Sequence, residues 1–319
     1  MSIEWYALKF TPVFKGKPWG GRRLEKLFGK LLPPGPVGES WEISAHPEGR
    51  ALVSEGALAG KSLAELVRAF RGELLGSRFV ARSKQFPIIV KFLDAQDLLS
   101  LQVHPDDAYA RAHTRDDGKE ECWFVIHVGP KGRVFKGLKR KVAPEEFLEA
   151  VHSGQFEALF NIFRPRAGDL VYLPAGTLHT VEDVVVAEVQ QASDLTFRVY
   201  DWNRPGTDGK RRSLHMDKAL AVAELGPPAQ NAAVTAALDK ETTLLIDSQH
   251  FRIERVSTAN PRPIDLAGEA FRVLIVLSGS GRVGEVGFRA GDCLLLPAAL
   301  EKAVVEPAGD SDYLVMEAR

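Results

Sequence analysis

The chain has 319 residues, 45% of them apolar, with 41 basic and 42 acidic side chains giving a formal net charge of −1. So even a balance gives no reason to expect nucleic acid or an anionic membrane as partner, and the ordinary composition predicts a soluble protein of two domains. Cys122 and Cys293 each sit in an apolar run and read as buried free thiols of a cytoplasmic protein, with no signal peptide or membrane-spanning run in view.

In chain order, Ser62-Leu63-Ala64-Glu65 is a capping box. Leu66, Val67, Phe70 and Leu74 follow at helical spacing and predict a helix over about 62–76. Phe86 to Leu93 and Cys122 to Val128, rich in β-branched and aromatic residues, predict strands. Pro144-Glu145-Glu146 opens a second helical segment, about 144–160, with Phe147, Leu148 and Val151 facing inward. Leu170 to Leu173 and Val184 to Val189 are again strand-like. A small, featureless stretch at Pro227-Pro228-Ala229 reads as a linker, and Arg272 to Leu277 and Cys293 to Leu296 repeat the strand style beyond it.

Arg166-Ala167-Gly168-Asp169 to Ala175 is nearly superimposable on Arg289-Ala290-Gly291-Asp292 to Ala298. Each box is preceded by an apolar strand and a Gly-Arg-Val, at Gly132 and at Gly281. A duplicated unit of strand, Gly turn, strand and Pro turn matches a small jelly-roll barrel. The fold is therefore predicted as mainly β, two cupin-type jelly-roll β-barrels. Residues 1–228 form a domain with helical insertions, and 229–319 a degenerate second copy.

The first copy runs on to His179, whereas the matching position in the second is Lys302. Strand alternation puts Ser100, Gln102 and His104 on one face, and Lys119, Glu121 and Trp123 on another. Gln102, His104, Glu121 and His179 then make an N/O site suited to Zn²⁺, one per chain, with His127 in reserve. His46, His113, His152, His215 and His250 read as surface or satisfied polar residues. The second copy is expected to be metal-free and to serve by burying a face of the first.

The chain resembles the type I phosphomannose isomerases in their short bacterial form. The matching segments are Lys17-Pro18-Trp19-Gly20-Gly21, Gly38-Glu39-Ser40-Trp41-Glu42, Leu99 to Asp106, Gly118-Lys119-Glu120-Glu121-Cys122-Trp123, Leu173 to His179 and Gln191 to Arg212. The resemblance implies zinc-dependent interconversion of mannose 6-phosphate and fructose 6-phosphate. It places the metal ligands on Gln102, His104, Glu121 and His179, with Glu120 as the alternative carboxylate. Its pocket residues fall on Lys91, Ser100, Lys119, Glu188 and Arg198.

Lys91 and Glu188 each stand alone as a charge inside an apolar strand, which favours a charged pocket over a surface role. Glu188 or Lys119 is the expected proton-transfer group. Lys91, Arg198, Lys210 and Arg211 are the cations available for a phosphate, the run Lys210-Arg211-Arg212 reading as a mobile loop. Trp41 and Trp123 read as core. The competing functions are an isomerase of another aldose–ketose pair, a non-haem iron cupin oxygenase and a sugar-binding cupin without turnover; monomer and homodimer are both open.

Overall fold

The strand His179–Gln191 contains Val184-Val185-Val186-Ala187, a β-branched run buried on both faces, and such a run belongs at the centre of a sheet. In the computed structural model, which describes residues 3–80, 85–206, 208–228 and 235–319, it pairs with Ile88–Ala95 and with the long bent strand Glu121–Leu138. Leu101–Val103 joins its start, where His179 faces Gln102. Phe197–Tyr200, Val13–Gly21 and Val37–Ile43 extend a nine-stranded, curled sheet, with Phe160–Phe163 and Leu170–Leu173 on the long strand. The chain is mainly β, as expected.

The repeat is structural as well as sequential. In both boxes the aspartate accepts the arginine N–H, Asp169 from Arg166 at 2.7 Å and Asp292 from Arg289 at 2.9 Å. Gly168 and Gly291 both have φ near +90°, a conformation that glycine adopts without Cβ strain. Each donates to the preceding strand, Gly168 to Val125 O at 2.8 Å and Gly291 to Val276 O at 2.9 Å.

The first predicted helix is Leu63–Leu75. Both halves of its capping box form, Glu65 N–H to Ser62 Oγ at 3.2 Å and Ser62 N–H to Glu65 Oε2 at 2.8 Å. Non-helical φ/ψ at Phe70 kink it, so Phe70 is only half-buried. The second is Pro144–Ser153 followed by a 3₁₀ turn, Phe156–Leu159. Phe147, Val151 and Phe156 cover Leu101 and Val103 from outside, while Leu148 is only half-buried. Arg23–Phe28, Ser77–Val80, Asp107–His113 and Met216–Val222 are short helices that the periodicity did not announce.

The last ninety residues contribute most of an eight-stranded sheet and a four-stranded one. The larger sheet also takes in Leu8–Thr11, whose Leu8 pairs with Leu295 of Cys293–Leu296. Phe86, Cys122 and Phe124 share one apolar core with Leu245, Phe251 and Phe271. Burying a Phe or Leu side chain contributes about 1.5–3 kcal/mol, so this shared core is the main tie between the halves. Of the expected linker, Ala229 lies outside the described residues. Both cysteines are buried and free, and among the described residues no helix is long and apolar enough to cross a membrane.

Candidate metal centre and active site

Register brings the candidate residues together in rungs across the central strand. Glu188 stands between Lys91 and Trp123, Gln190 faces Glu121, and His179 faces Gln102. His104, Glu121 and His179 are all buried, with one ligand atom from each within 4.8 Å of the others.

Both imidazoles are oriented from behind. His104 Nδ1 lies 2.7 Å from Leu195 O, and His179 Nδ1 lies 2.8 Å from Thr177 O. A carbonyl only accepts, so both Nδ1 atoms carry the proton and both Nε2 lone pairs face inward. His179 Nε2 sits 3.2 Å from Glu121 Oε1, and that oxygen is buried without a hydrogen-bond partner. An orphaned carboxylate oxygen against a lone pair is costly unless a cation sits near both. The donor set thus fits a divalent ion. Gln102 Nε2 lies 3.2 Å from His179 Nε2 and 3.5 Å from His104 Nε2. A half-turn of this amide would present its oxygen to the same point.

The local electrostatics keep these groups in ligand form. Burial, aided by the Lys119 ammonium, pushes His104 down to about 3, so it is neutral at physiological pH. Burial opposes ionisation of Glu121, yet the Lys119 ammonium outweighs it and holds the carboxyl well below the usual carboxylate range. The Lys119 ammonium is in contact with Glu121 Oε2 and lies 3.1 Å from His104 Nε2. Glu120 points away from the centre, and His127 is half-buried further along the strand.

Above the centre opens a cavity of about 190 Å³, lined by Lys91, Ser100, Gln102, Lys119, Glu188 and Arg198 among the predicted residues. Ser100 Oγ donates to Gln102 Oε1 at 3.2 Å. Lys91 Nζ lies 3.3 Å from Glu188 Oε1 and 4.3 Å from the centre of the Trp41 ring. Burial works against the Lys91 charge, but Glu188 and Glu39 outweigh it and raise its pKa. The Glu188 pKa is raised as well, by burial and then by the Glu121 charge, which for a carboxyl disfavours the charged form. Arg198 donates Nη1–H to Ser213 O at 2.9 Å, while its buried Nε has no partner. Its backbone N–H donates to His215 Nδ1 at 3.1 Å, which gives His215 a supporting place beside the site.

Lys210 and Arg211 are exposed and do not line this cavity. Arg212 does, held through Nε to Asp201 Oδ2 at 2.7 Å. Lys17, Glu39 and Asp194 also line it, and none of them was singled out from the sequence. Their signal was present, since all three lie in quoted motif segments. Glu39 and Trp41 alternate with Ser40 and Glu42 on Val37–Ile43, so Glu39 shares the face of Trp41. Glu39 accepts Trp41 Nε1–H at 2.7 Å and pairs with Lys17 at 2.8 Å. Trp41 and Trp123 are buried, but Trp123 also donates Nε1–H to Glu188 Oε2 at 2.9 Å. With five cationic and three carboxylate side chains in its lining, the cavity suits a small anionic ligand.

Comparison with known proteins agrees with this arrangement. The family model described as phosphomannose isomerase type I, catalytic domain, matches residues 7–122. Mannose-6-phosphate isomerase of Streptococcus mutans is 36% identical over 291 residues, covering 89% of this chain and 90% of that protein. Mannose-6-phosphate isomerase ManA of Bacillus subtilis is 34% identical over 310 residues, covering 94% and 95%. A crystal structure of the mannose 6-phosphate isomerase from Bacillus subtilis superposes with a TM-score of 0.86 at 31% identity, covering 97% of this chain and 99% of that one.

Proposed function

The chain belongs to the type I phosphomannose isomerases, and on that premise we infer that it interconverts mannose 6-phosphate and fructose 6-phosphate by moving a proton between C1 and C2. The observation that carries the site assignment is the pair of backbone-anchored imidazoles turned toward the orphaned Glu121 Oε1. Gln102, His104, Glu121 and His179 are the ligand set, and their N/O character suits zinc. When bound, that ion supplies Lewis-acid polarisation of the sugar carbonyl and positive charge for the enediolate oxygens.

The chain's own residues supply the rest. Glu188 is the proton carrier: burial and the nearby Glu121 raise its pKa toward the working range of a general base. Lys91, at 3.3 Å, and Trp123 Nε1, at 2.9 Å, fix which oxygen it presents. Lys119, already engaged with Glu121, is better placed to hold a substrate oxygen than to shuttle the proton. Ser100 steadies Gln102. Arg198, with an unpartnered buried Nε, offers the phosphate a guanidinium, and Arg212, its fork held by Asp201, adds positive charge beside it, with Lys210 held in reserve on the exposed loop. A phosphorylated hexose as substrate fits a cytoplasmic enzyme, as monomer or homodimer.

The test is turnover of mannose 6-phosphate to fructose 6-phosphate by metal-stripped protein, before and after zinc. Activity should appear with zinc and vanish in Gln102→Ala/His104→Ala. Oxygen uptake that depends on Fe(II), with no isomerisation under any divalent ion, would replace this reading by the oxygenase one.

A further inference from the structure

Glu120 immediately precedes the strand Glu121–Leu138, and the two neighbouring side chains leave the chain in different directions. Glu121 enters the metal centre. Glu120 reaches instead to the C-terminal half of the chain, where Ser248 sits in the turn between Thr242–Asp247 and Phe251–Thr258. The Ser248 hydroxyl donates to Glu120 Oε1 at 2.6 Å.

That hydroxyl is aimed by its own surroundings. Its oxygen accepts the backbone N–H groups of His250 and Phe251, both at 3.2 Å, which turns its proton outward. The competing acceptor, Phe251 O at 3.1 Å, is neutral and already takes the Ser248 N–H at 2.9 Å. A carboxylate at 2.6 Å is the stronger acceptor. The Glu120 backbone is clamped as well: its N–H donates to Gln191 Oε1 at 2.8 Å, and its carbonyl accepts Gln191 N–H at 3.1 Å. Glu121, by contrast, finds its side-chain partners only inside the centre, in Lys119, His104 and His179. Of these, the Lys119 ammonium holds the carboxylate from within the centre. The direction of its Cα–Cβ bond depends also on the residue before it, whose backbone Gln191 clamps and whose side chain Ser248 ties to the C-terminal half.

We propose that Ser248 is a positioning residue for the metal centre: through Glu120 it fixes the rotation of the strand start that presents Glu121 to the ion. The C-terminal copy, which among the described residues shows no ligand cluster of its own, thereby takes part in metal binding by the N-terminal one. This rests on the metal reading given above.

The test is zinc affinity, measured by competition with a chromophoric chelator on metal-stripped protein, with metal-free thermal unfolding followed in parallel. Ser248→Ala should bind zinc about 10–100-fold more weakly than wild type, the range typical of losing an outer partner of a metal ligand. Ser248→Thr, which keeps the hydroxyl, should recover most of the loss. Glu120→Ala, which also removes its contacts with Tyr172 and with His250 at 4.0 Å, should lose at least as much, and Ser248→Ala/Glu120→Ala no more than Glu120→Ala alone. If Ser248→Ala does not fold, Glu120→Ala and Ser248→Thr still decide the matter. Wild-type zinc affinity in folded Ser248→Ala or folded Glu120→Ala overturns the proposal. A wild-type chain that takes up no divalent ion overturns the metal reading itself, and the wild-type titration alone reveals that case.

Discussion

The two copies of the Arg-Ala-Gly-Asp unit share their backbone hydrogen bonds and differ in what they place inside. Aligning them on Val125 and Val276, which make the same bonds to Asp169 and Asp292, pairs the remaining positions rung by rung. Glu121 corresponds to Arg272, since they face Leu173 and Leu296. His179 corresponds to Lys302, and their cross-strand partners Gln102 and Asp265 correspond in turn. Lys91, Glu188 and Glu39 become Glu254, Val315 and Thr242. In the second copy the charges are settled in pairs, Arg272 with Glu317 at 3.1 Å and Arg252 with Glu254 at 2.7 Å. Leu274, Val276, Leu294 and Tyr313 pack in its core. One scaffold therefore opens a cavity in both copies, and in the second, of about 250 Å³, Arg272, Glu254 and Glu317 line it in place of the ligand set; the difference lies in a few inward side chains.

The largest effect should come from moving the second copy's residue into the first. Glu121→Arg puts a guanidinium beside Lys119, in a buried place that holds a carboxylate. An uncompensated buried charge costs about 3–5 kcal/mol, and losing the ion's charge stabilisation should lower turnover by about three orders of magnitude or more. In the second copy Arg272 is neutralised by Glu317, whose counterpart in the first copy is Gln190. Adding Gln190→Glu should therefore recover part of the stability and none of the metal. Metal content per chain and melting temperature separate the two effects. A Glu121→Arg chain that still binds one ion would break the comparison.

A smaller effect tests the charged layer above the centre. Glu39 is half-buried, and its partial desolvation disfavours ionisation, but Lys17 and Lys91 outweigh this and hold it at about 2, against an ordinary 4.5. A folded-state pKa below the unfolded one adds stability that is complete above about 4.5 and disappears as the pH falls toward 2. The difference corresponds to about 3 kcal/mol. Metal-stripped Glu39→Gln should thus melt below wild type at pH 7, and the gap should narrow from pH 4.5 downward. A gap that stays constant with pH would assign the loss to packing instead of charge.

Much of this architecture was legible in the chain because it is written in local patterns. The capping box at Ser62, the Pro144 start and the duplicated Gly-Asp turn each depend on residues a few positions apart. Alternation on single strands likewise put Gln102 on the face of His104 and turned Glu121 the same way as Lys119, while their joining with His179 came from the family resemblance. What the chain concealed depends on register between distant strands. Arg212 and Glu39 enter the cavity, whereas Lys210 stays on the surface, because of pairings and an Asp201 contact that no local spacing encodes. The same holds for Leu8–Thr11, which crosses into the C-terminal sheet by an interaction spanning nearly the whole chain. Ser248 reaches Glu120 across 128 residues, and a serine between two strands carries no signature of that contact.

The smallest expected effect is at Lys302. If the second copy lost its site through this position alone, Lys302→His would restore a donor beside Asp265, the counterpart of the Gln102 and His179 pair. The surroundings argue otherwise. Lys302 is exposed, Arg272 stands where the carboxylate ligand would be, and Val276 and Leu294 fill the interior behind it. A single imidazole next to a guanidinium, open to water, has neither the charge nor the desolvation that makes a metal site. Lys302→His should change stability by less than about 0.5 kcal/mol, as exposed substitutions do. Metal content should stay at one ion per chain, with turnover within about twofold of wild type. A second ion in this variant would mean that the two copies differ by one residue in function and not by the whole inward-facing set.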